Sequence, residues 1–319
     1  RDPWRAAVAG RTHGAGGHAR LAGVRICSLI QRVPGLASLV LLLAGCPKAV
    51  VPDRPYAAPT ADQLLQHIQK SRAGLFALRA RAKADLLGNS GRVKVDISLI
   101  AARPQRLRLA GENSLTGPLV TLATDGQTFQ LLDVRENRFM SGGVSPCNMA
   151  RILGVSMPPS QIIEVLMGGV PLLAETVKTQ VSWDGRDGGR EVLTMHDGRG
   201  YSEVIYLQAE GKTWDVREAE GRDVGGAAVW KLRNEGFTAE KLPASGATLR
   251  LPATTFIEDP PHKSDVRLRW RERELNPTLE DGVFRLEQPP GVPTEPDVCA
   301  LPPSPPKLLT GPGAEAPQP

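Results

Sequence analysis

Apolar and polar residues alternate over long stretches of this chain, and this pattern limits its fold more than any other feature. Such alternation is typical of antiparallel strands that have one apolar face and one solvated face. The first apolar series consists of Phe76, Leu78, Ala80, Ala82, Ala84, Leu86, Val93, Val95, Ile97 and Leu99. The same pattern predicts further strands near residues 105–111, 118–124, 127–133, 177–183, 190–196, 201–208, 212–218, 227–234, 236–242, 248–257 and 264–273.

Helical signals interrupt the strands at two places. Thr60 and Gln63 fit a capping box ahead of a short apolar stripe. A second helical region covers residues 146–168, where Pro146 and Pro159 each stand at the start of a short helix. The sequence therefore predicts a mainly β, α+β fold in which one large curved antiparallel sheet forms an unclosed half-barrel, capped by a few short helices.

The positive charge of the chain is confined to its first residues. The whole sequence carries 39 basic and 34 acidic residues, a net charge of +5. Residues 1–45 contain six arginines and one aspartate, so that the remainder has 33 residues of each sign. A balanced folded part gives no support for nucleic-acid binding, which would need a basic surface. No nucleic-acid partner is expected.

The N-terminal region has the features of a lipoprotein signal. Residues 36–44 form a short apolar run behind two arginines, too short to span a bilayer. The ending Leu43-Ala-Gly-Cys46 resembles a bacterial lipobox, in which the cysteine is acylated after cleavage. We therefore predict lipidation at Cys46, a signal peptide over residues 24–45, and an extraneous or misplaced start over 1–23. The alternative is a buried helix with a chance cysteine.

The rest of the chain divides into three parts. Residues 46–59 contain the predicted acylated cysteine and a Pro-rich tether, and residues 60–295 form one domain. Residues 296–319 are rich in proline and are predicted to be disordered. Pro47 follows the cysteine in place of the Asp that favours inner-membrane retention, so we expect an outer-membrane anchor that faces the periplasm.

Several segments resemble the LolA/LolB family of lipoprotein carriers, with the outer-membrane receptor type the closer match. They are residues 103–105, 124–129, 152–168, 275–277, 284–286 and 289–292. The resemblance implies an unclosed β-barrel with helical caps and an apolar cavity for the acyl chains of lipoproteins or lipids. The residues expected to line this cavity are Phe76, Leu78, Val93, Val95, Ile97, Leu99, Ile162 and Leu166.

The resemblance also implies roles for two individual residues. Leu115 lies in a polar loop that matches the membrane-insertion loop of the receptor, although it could equally fold back onto the core. Arg103 matches an arginine that holds the helical lid through hydrogen bonds to the backbone. A guanidinium with five donors suits that role, and the alternative is an ordinary surface arginine.

Two cysteines of the predicted mature chain depart from the family pattern. Cys147 and Cys299 would both face an oxidising compartment, so we predict a disulfide between them, with free thiols as the alternative. Such a bond would tie the helix pair to the C-terminal segment and restrict the opening of a lid.

The sequence contains no recognisable catalytic or metal site. His67, His196 and His262 are far apart and have no companions at metal-ligand spacing. No nucleophile elbow or phosphate loop is present, so neither an enzyme nor a cofactor is expected. Four arginines alternate with apolar residues and should share one strand face, which we interpret as a solvated outer face: Arg267, Arg269, Arg271 and Arg273.

Two functions remain open at this point. The first is an outer-membrane lipoprotein that takes acyl chains into an apolar cavity, with a periplasmic carrier protein as a partner. The second is an envelope lipoprotein that uses the same fold as a protein-interaction or sensor module without transfer activity. The inner-face residues suit either an empty groove or a packed core, and the sequence leaves this choice open.

Overall fold

The computed structural model describes residues 52–88, 91–113, 117–280 and 282–295, together with residues 297 and 299. Its helices are α1 (Ala61–Lys70), α2 (Pro146–Leu153) and α3 (Pro159–Leu166), with short 3-10 turns at Arg186–Gly188 and Pro260–His262. The strands of the first half are β1 (Ala77–Gly88), β2 (Gly91–Ala102), β3 (Arg106–Asn113), β4 (Gly117–Thr124), β5 (Thr128–Asp133) and β6 (Arg138–Gly143).

The second half contributes the remaining strands. They are β7 (Lys178–Asp184), β8 (Arg190–His196), β9 (Ser202–Glu210), β10 (Thr213–Arg222), β11 (Ala228–Glu235), β12 (Thr238–Lys241), β13 (Thr248–Leu251), β14 (Thr254–Asp259), β15 (Ser264–Leu275) and β16 (Thr294–Glu295). The helix starts follow the predicted signals. Thr60 and Gln63 form the capping box of α1, and the Ser145 side chain accepts a hydrogen bond from the Asn148 backbone at the start of α2.

Fourteen strands form one sheet in the order β16-β6-β5-β4-β3-β2-β1-β15-β14-β11-β10-β9-β8-β7. The pairing is antiparallel throughout except between β16 and β6, which run parallel. The two ends of the order, β16 and β7, do not pair, so the sheet is curved but unclosed. The predicted fold class is confirmed.

The sheet consists of two meanders that meet along one seam. The first meander contains β1 to β6, and the second contains β7 to β11 with β14 and β15. The seam is the pairing of β1 with β15, which extends from Leu78 opposite Leu275 to Leu87 opposite Asp265. A strand near the start of the domain thus joins one near its end.

Antiparallel pairing places the connecting turns on two opposite rims of the sheet. One rim carries the turns at residues 103–105, 125–127, 185–189 and 211–212. We call it the proximal rim, because residues 52–59, the N-terminal segment, lie against it. The distal rim carries the last residues of β1 and β3 and the turns at residues 134–137, 197–201, 223–227 and 260–263. The longest strands, β1, β2 and β15, have 12 residues each, so about 40 Å separates the rims at 3.3 Å per residue.

One face of the sheet carries the main hydrophobic core and is covered by other elements; we call it the inner face. Helices α1, α2 and α3 contribute buried residues to this core, as does the hairpin β12–β13. The chain that follows β15, which we call the C-terminal segment, crosses β1 to β6 on the outer face. Its Phe284 packs on Ala77 and Ala102. The helices therefore close the inner face in the way that the sequence predicts.

Three details of the sheet differ from the predictions. Strand β6 is present although no strand was predicted there, because its six residues include two glycines and only a short alternation. The predicted strand 248–257 is two strands, separated at Pro252 and Ala253. Strands β12 and β13 pair only with each other and leave the main sheet, since β11 pairs directly with β14.

Candidate functional site

Most of the predicted cavity residues lie on the inner face. Leu78, Val93, Val95, Ile97 and Leu99 are buried in the main core, each on alternate positions of β1 or β2. On α3, which lies across this face, the two predicted residues Ile162 and Leu166 are buried as well. The period-two pattern and the apolar stripe of α3 thus converge on one apolar interior.

Phe76 is an exception, and its predicted place in the cavity lining is wrong. Its side chain is 59% exposed, whereas the preceding Leu75 is fully buried. Strand β1 begins only at Ala77, and the Phe76 backbone N–H donates to the Asn276 side chain at 2.9 Å, outside the β1 ladder. Because the strand has not yet started, the alternation of its side chains does not extend to position 76.

A small cavity lies between the inner face and the helix pair α2–α3, which we call the lid helices. Its volume is about 60 Å³. All twelve residues that line it are apolar: Ala84, Leu86, Ile97, Leu107, Leu109, Leu153, Val155, Ile162, Leu166, Ile257, Val266 and Leu268. Of the predicted lining residues, only Ile97, Ile162 and Leu166 are among them. The others on the inner face belong to the packed core beside the cavity, so their predicted place in its lining is wrong: Leu78, Val93, Val95 and Leu99. Sites for small molecules typically have volumes of about 300–1,000 Å³. An acyl chain therefore fits this cavity only if the lid helices move away from the sheet.

A larger groove, of about 470 Å³, lies on the outer face across β1, β2, β3 and β15. Its lining combines arginines and glutamates that face one another, as in the ion pair of Arg79 with Glu274. Opposite charges on a solvated sheet face neutralise each other. This groove has the character of an ordinary outer face, and the apolar cavity is the stronger candidate for a ligand site.

Arg103 holds α3 from the β2–β3 turn. Its Nη2 donates to Glu164 Oε2 at 2.7 Å, and Glu164 lies on α3. Its Nη1 donates to the backbone oxygen of Arg72, just after α1, at 2.9 Å. The family resemblance implies hydrogen bonds from this arginine to the lid backbone, whereas here the lid is held through a side chain. Arg103 thus connects the proximal rim, α1 and the lid.

Arg72 is a second cation of this junction, and no local sequence pattern marks it, because its partners are remote in sequence. Its guanidinium donates to the backbone oxygen of Gly168, at the end of α3, at 3.0 Å, and to that of Arg250 on β13 at 2.7 Å. Burial lowers the pKa of Arg72 to about 10. Since an arginine ordinarily stays charged in proteins, Arg72 is a charged donor whose hydrogen bonds connect the end of α1 to α3 and to the hairpin β12–β13.

The loop between the lid helices is fixed at the distal rim. Asp259, at the end of β14, accepts a hydrogen bond from the Ser156 backbone at 2.7 Å. Ser264, at the start of β15, donates to the Gly154 backbone oxygen at 2.6 Å. His262 Nδ1 lies 2.7 Å from the other oxygen of Asp259. The lid is therefore attached at the proximal rim by the two arginines and at the distal rim by Asp259 and Ser264. These polar contacts add to its apolar packing on the sheet.

Cys147 and Cys299 are joined by a disulfide, the pairing that the sequence analysis favoured over free thiols. The bond connects the first turn of α2 to Cys299, four residues beyond β16. Asp297 supports the same junction, because its carboxylate accepts a hydrogen bond from the Asn148 side chain at 3.0 Å. Of the two lid helices, α2 therefore has a covalent attachment, whereas α3 is held by the contacts of Arg103 and Arg72.

The hairpin β12–β13 closes the other side of the inner face through two ion pairs. Arg250 binds the buried carboxylate of Asp215 on β10 with contacts of 2.9 Å to each oxygen. Arg273 donates to Glu240 on β12 at 2.8 Å. The expectation that Arg273 shares an outer face with Arg269 is wrong, because a bulge in β15 skips one residue between positions 270 and 272 and turns Arg273 inward.

Glu203 is a buried carboxyl group on the inner face of β9. It is 1% exposed, and Leu173, in the segment after α3, donates a backbone hydrogen bond to it at 3.0 Å. Burial raises the pKa of Glu203 to about 8, with the hydrogen bond from Leu173 opposing this change. The group is thus largely neutral at pH 7 and links β9 to the chain that leaves the lid.

Residues 52–59, which the sequence analysis assigned to the tether, pack against the proximal rim. The Arg54 guanidinium lies 2.8 Å from the fully buried carboxylate of Glu191 on β8. Trp183 donates its indole N–H to the Pro52 backbone oxygen at 2.9 Å, and the Tyr56 ring meets Trp183 edge to face. Residues 52–59 are therefore docked on the sheet and do not form the free tether that was predicted for them.

Other predicted sites lie elsewhere. Cys46, Leu115 and the tail residues 300–319 fall outside the residues that the structure describes. His67 packs on Trp214, with its Nε2 2.9 Å from the Trp214 backbone oxygen. Within the described ranges, no group of three His, Cys, Asp or Glu side chains could hold a metal ion. Over those same ranges, no helix has the length and hydropathy needed to cross a bilayer.

Comparisons with known proteins give similarities of fold. No protein-family model and no curated protein matches the chain. An outer membrane lipoprotein-sorting protein domain from Vibrio parahaemolyticus is 13% identical, with a TM-score of 0.49, and the alignment covers 70% of this chain and 97% of that one. A LolA superfamily protein from Nitrosomonas europaea is 12% identical, with a TM-score of 0.47 and coverages of 72% and 99%.

A third solved structure, a DUF1329 family protein from Desulfovibrio piger, is 12% identical with a TM-score of 0.49, and the alignment covers 72% of this chain and 98% of that one. At these identities the similarity concerns the path of the chain alone.

Proposed function

We propose that this protein is a membrane-anchored lipoprotein of the bacterial envelope that binds acyl chains between its sheet and its lid helices. The observation that carries the proposal is the cavity itself, since all of its lining side chains are apolar and it lies directly beneath a helix pair. Burial of methylene groups supplies the binding free energy, about 0.8 kcal/mol for each. Neither a cofactor nor a covalent step is part of this function, and the protein is not proposed to be an enzyme.

The lid contacts support a cavity that can open. On α3, Glu164 is bound by Arg103, and both side chains are partly exposed. Exposed ion pairs contribute about 0–1 kcal/mol each, so this pair adds little to the cost of moving α3. Most of that cost is the exposure of its buried side chains, which an acyl chain between helix and sheet would cover again. The disulfide keeps α2 in place meanwhile. Affinity for the acyl chain is then reduced by the cost of opening, which suits a protein that must release its cargo again.

The finer parts of the proposal concern cargo and place. The cargo would be the acyl chains of lipoproteins, delivered by a periplasmic carrier protein, and acylation at Cys46 would hold the protein at the outer membrane. Mass spectrometry of the mature N-terminus tests the anchor, and an unmodified Cys46 would contradict it. Extraction of lipid from the purified protein tests the cargo.

Whether the cavity binds acyl chains can be tested with two variants, one that reduces its volume and one that increases it. Ala84→Leu adds apolar volume inside it, so we expect weaker binding of a fluorescent fatty acid. Because the cavity is small, overpacking should also lower the free energy of unfolding, by about 1–3 kcal/mol. Leu86→Ala enlarges the same cavity, so the probe should bind more tightly although the protein is destabilised by about 2–3 kcal/mol. Equal probe affinities for both variants and the parent would exclude this cavity as the binding site.

The small size of the cavity is also compatible with the second hypothesis. In that case the protein is an interaction or sensor module without transfer activity. With a cavity of only about 60 Å³, the interior is nearly as closely packed as an ordinary protein core. If the parent protein carries no acyl lipid and binds no fatty-acid probe, the interior is a core, and the module without transfer is the correct function.

A further inference from the structure

The distal rim carries an exposed apolar tip that neither the cavity nor the lid uses. Val177, just before β7, and Val224, in the β10–β11 turn, are 70% and 78% exposed. The β8–β9 turn lies between them, because a Cβ atom at Gly198 would lie 3.7 Å from the Val177 side chain and one at Gly200 3.2 Å from that of Val224. Two valines thus flank one glycine-rich turn.

The tip is firmly built. In the β8–β9 turn the Asp197 carboxylate accepts hydrogen bonds from the backbones of Arg199 and Tyr201, at 2.9 and 2.8 Å. In the β10–β11 turn the Asp223 carboxylate accepts two from Gly225 and Ala227, both at 2.9 Å. Both acidic groups are therefore turned toward their own backbones, and the side chain of Arg199 is left exposed between the valines.

We propose that this tip, formed by Val177, Arg199 and Val224, contacts the surface of an anionic lipid bilayer. Branched apolar side chains at the ends of turns can enter the headgroup region, where a neighbouring cation meets lipid phosphates. Adjacent glycines at positions 198, 200, 225 and 226 add no side chains that would hold the valines off a flat surface. A third exposed valine, Val134, lies in the β5–β6 turn of the same rim.

The position of the tip fits a planar partner. Val134 and Val224 are separated by much of the sheet order, from β5 to β10, yet both belong to turns of one rim. Residues spread along a single rim can meet a flat surface together, whereas a compact protein partner would reach only some of them. The other large exposed apolar residue of the described part, Phe76, lies on the proximal rim and provides a control.

The test uses the mature chain with Cys46→Ser, which takes no acyl group, so that sedimentation with vesicles depends on the protein surface. Vesicles of phosphatidylethanolamine and phosphatidylglycerol should bind the parent. Val224→Asp and Val177→Asp should each weaken this binding by about tenfold, since a carboxylate replaces an apolar side chain at the lipid surface. Phe76→Asp, on the opposite rim, should leave it unchanged.

Arg199→Gln separates the electrostatic contribution. It should weaken binding to the anionic vesicles and have no effect on vesicles of phosphatidylcholine alone. All four side chains are exposed, so circular dichroism and the thermal midpoint should stay at the parent values and show that each variant is folded. The proposal is overturned if the parent does not bind anionic vesicles, or if the two valine variants bind them as tightly as the Phe76→Asp control does. Neither outcome depends on acyl binding in the cavity.

Discussion

At the scale of single residues, Glu203 makes the stability of the protein depend on pH. Its pKa is about 8 in the folded protein, against an ordinary value near 4.3 in an unfolded chain. Folded molecules therefore keep a proton that unfolded ones lose as the pH rises above about 4.3. The contribution is most favourable below that pH and is lost as the pH rises toward 8, at no more than about 1.4 kcal/mol per pH unit.

Glu203→Gln should remove this dependence, because an amide oxygen can still accept the hydrogen bond from the Leu173 backbone but does not ionise. Denaturant unfolding between pH 5 and pH 8 measures the slope in the parent and in the variant. Glu136→Gln, in an exposed turn of the distal rim, is the matched control and should keep the slope of the parent. An equal slope in Glu203→Gln and the parent would contradict the assignment.

Arg273 shows what the pattern of single residues can and cannot predict. Alternation correctly placed Val266 and Leu268 on the inner face of β15. The bulge opposite Arg81 and Ala82 is set by the pairing of two strands that are far apart in sequence, so a local pattern contains no sign of it. Arg72 was missed for a similar reason, since its partners Gly168 and Arg250 come together only in the folded chain.

At the scale of elements, the disulfide of Cys147 and Cys299 ties α2 to the C-terminal segment across 152 residues. Closing so long a loop limits the unfolded chain, and removing such a bond typically costs about 2–5 kcal/mol. The double variant Cys147→Ser and Cys299→Ser should therefore lower the free energy of unfolding by about this amount. Hydrogen exchange should rise in α2 and near residues 294–299.

The lid distinguishes this effect from a general loss of structure. Because α3 is held by Arg103 and Arg72 rather than by the disulfide, its hydrogen exchange in the double variant should stay close to that of the parent. Equal increases in α2 and α3 would show that the two helices move as one unit. The sequence could predict both helices from their prolines and apolar stripes, but it could not show that they are attached by different means.

The hairpin β12–β13 shows that the same holds for strands: the sequence predicts the element but not what it is attached to. Its segments have the alternation of ordinary sheet strands, and residues 236–242 were predicted as one of them. The choice between the sheet and a separate hairpin is made by the pairing of β11 with β14, with Asp215 and Glu240 binding the arginines that turn toward them. Local pattern fixes the extended conformation of such a segment, whereas tertiary contacts decide its partner.

At the scale of the whole molecule, the N-terminal segment and the valine tip lie on opposite rims. Arg54 and Pro52 are docked on the proximal rim at Glu191 and Trp183. The proposed anchor Cys46 and Pro52 are six residue steps apart, which span at most about 20 Å, whereas about 40 Å separates the rims. While the segment is docked, the distal rim cannot point toward the membrane that holds the anchor.

Release of the segment should change this. From Cys46 to Thr60 the chain can extend to about 50 Å, enough for the distal rim to reach the anchoring membrane. The double variant Arg54→Gln and Glu191→Gln removes the docking ion pair without leaving a buried charge unpaired. A fluorophore on Ala227→Cys, in the distal turn that carries Val224, should then be quenched by quencher lipids in vesicles that hold the acylated protein.

In the protein with an intact ion pair the same fluorophore should be quenched little. The matched label at Lys212→Cys, at the opposite end of β10, should show the reverse, because the proximal rim lies nearest the anchor when the segment is docked. Equal quenching of the Ala227→Cys label with and without the Arg54–Glu191 pair would mean that docking does not control which rim meets the membrane. A tip that contacts lipid and an anchor that keeps it away are compatible only if the docked segment can be released, and this pair of labels measures that release directly.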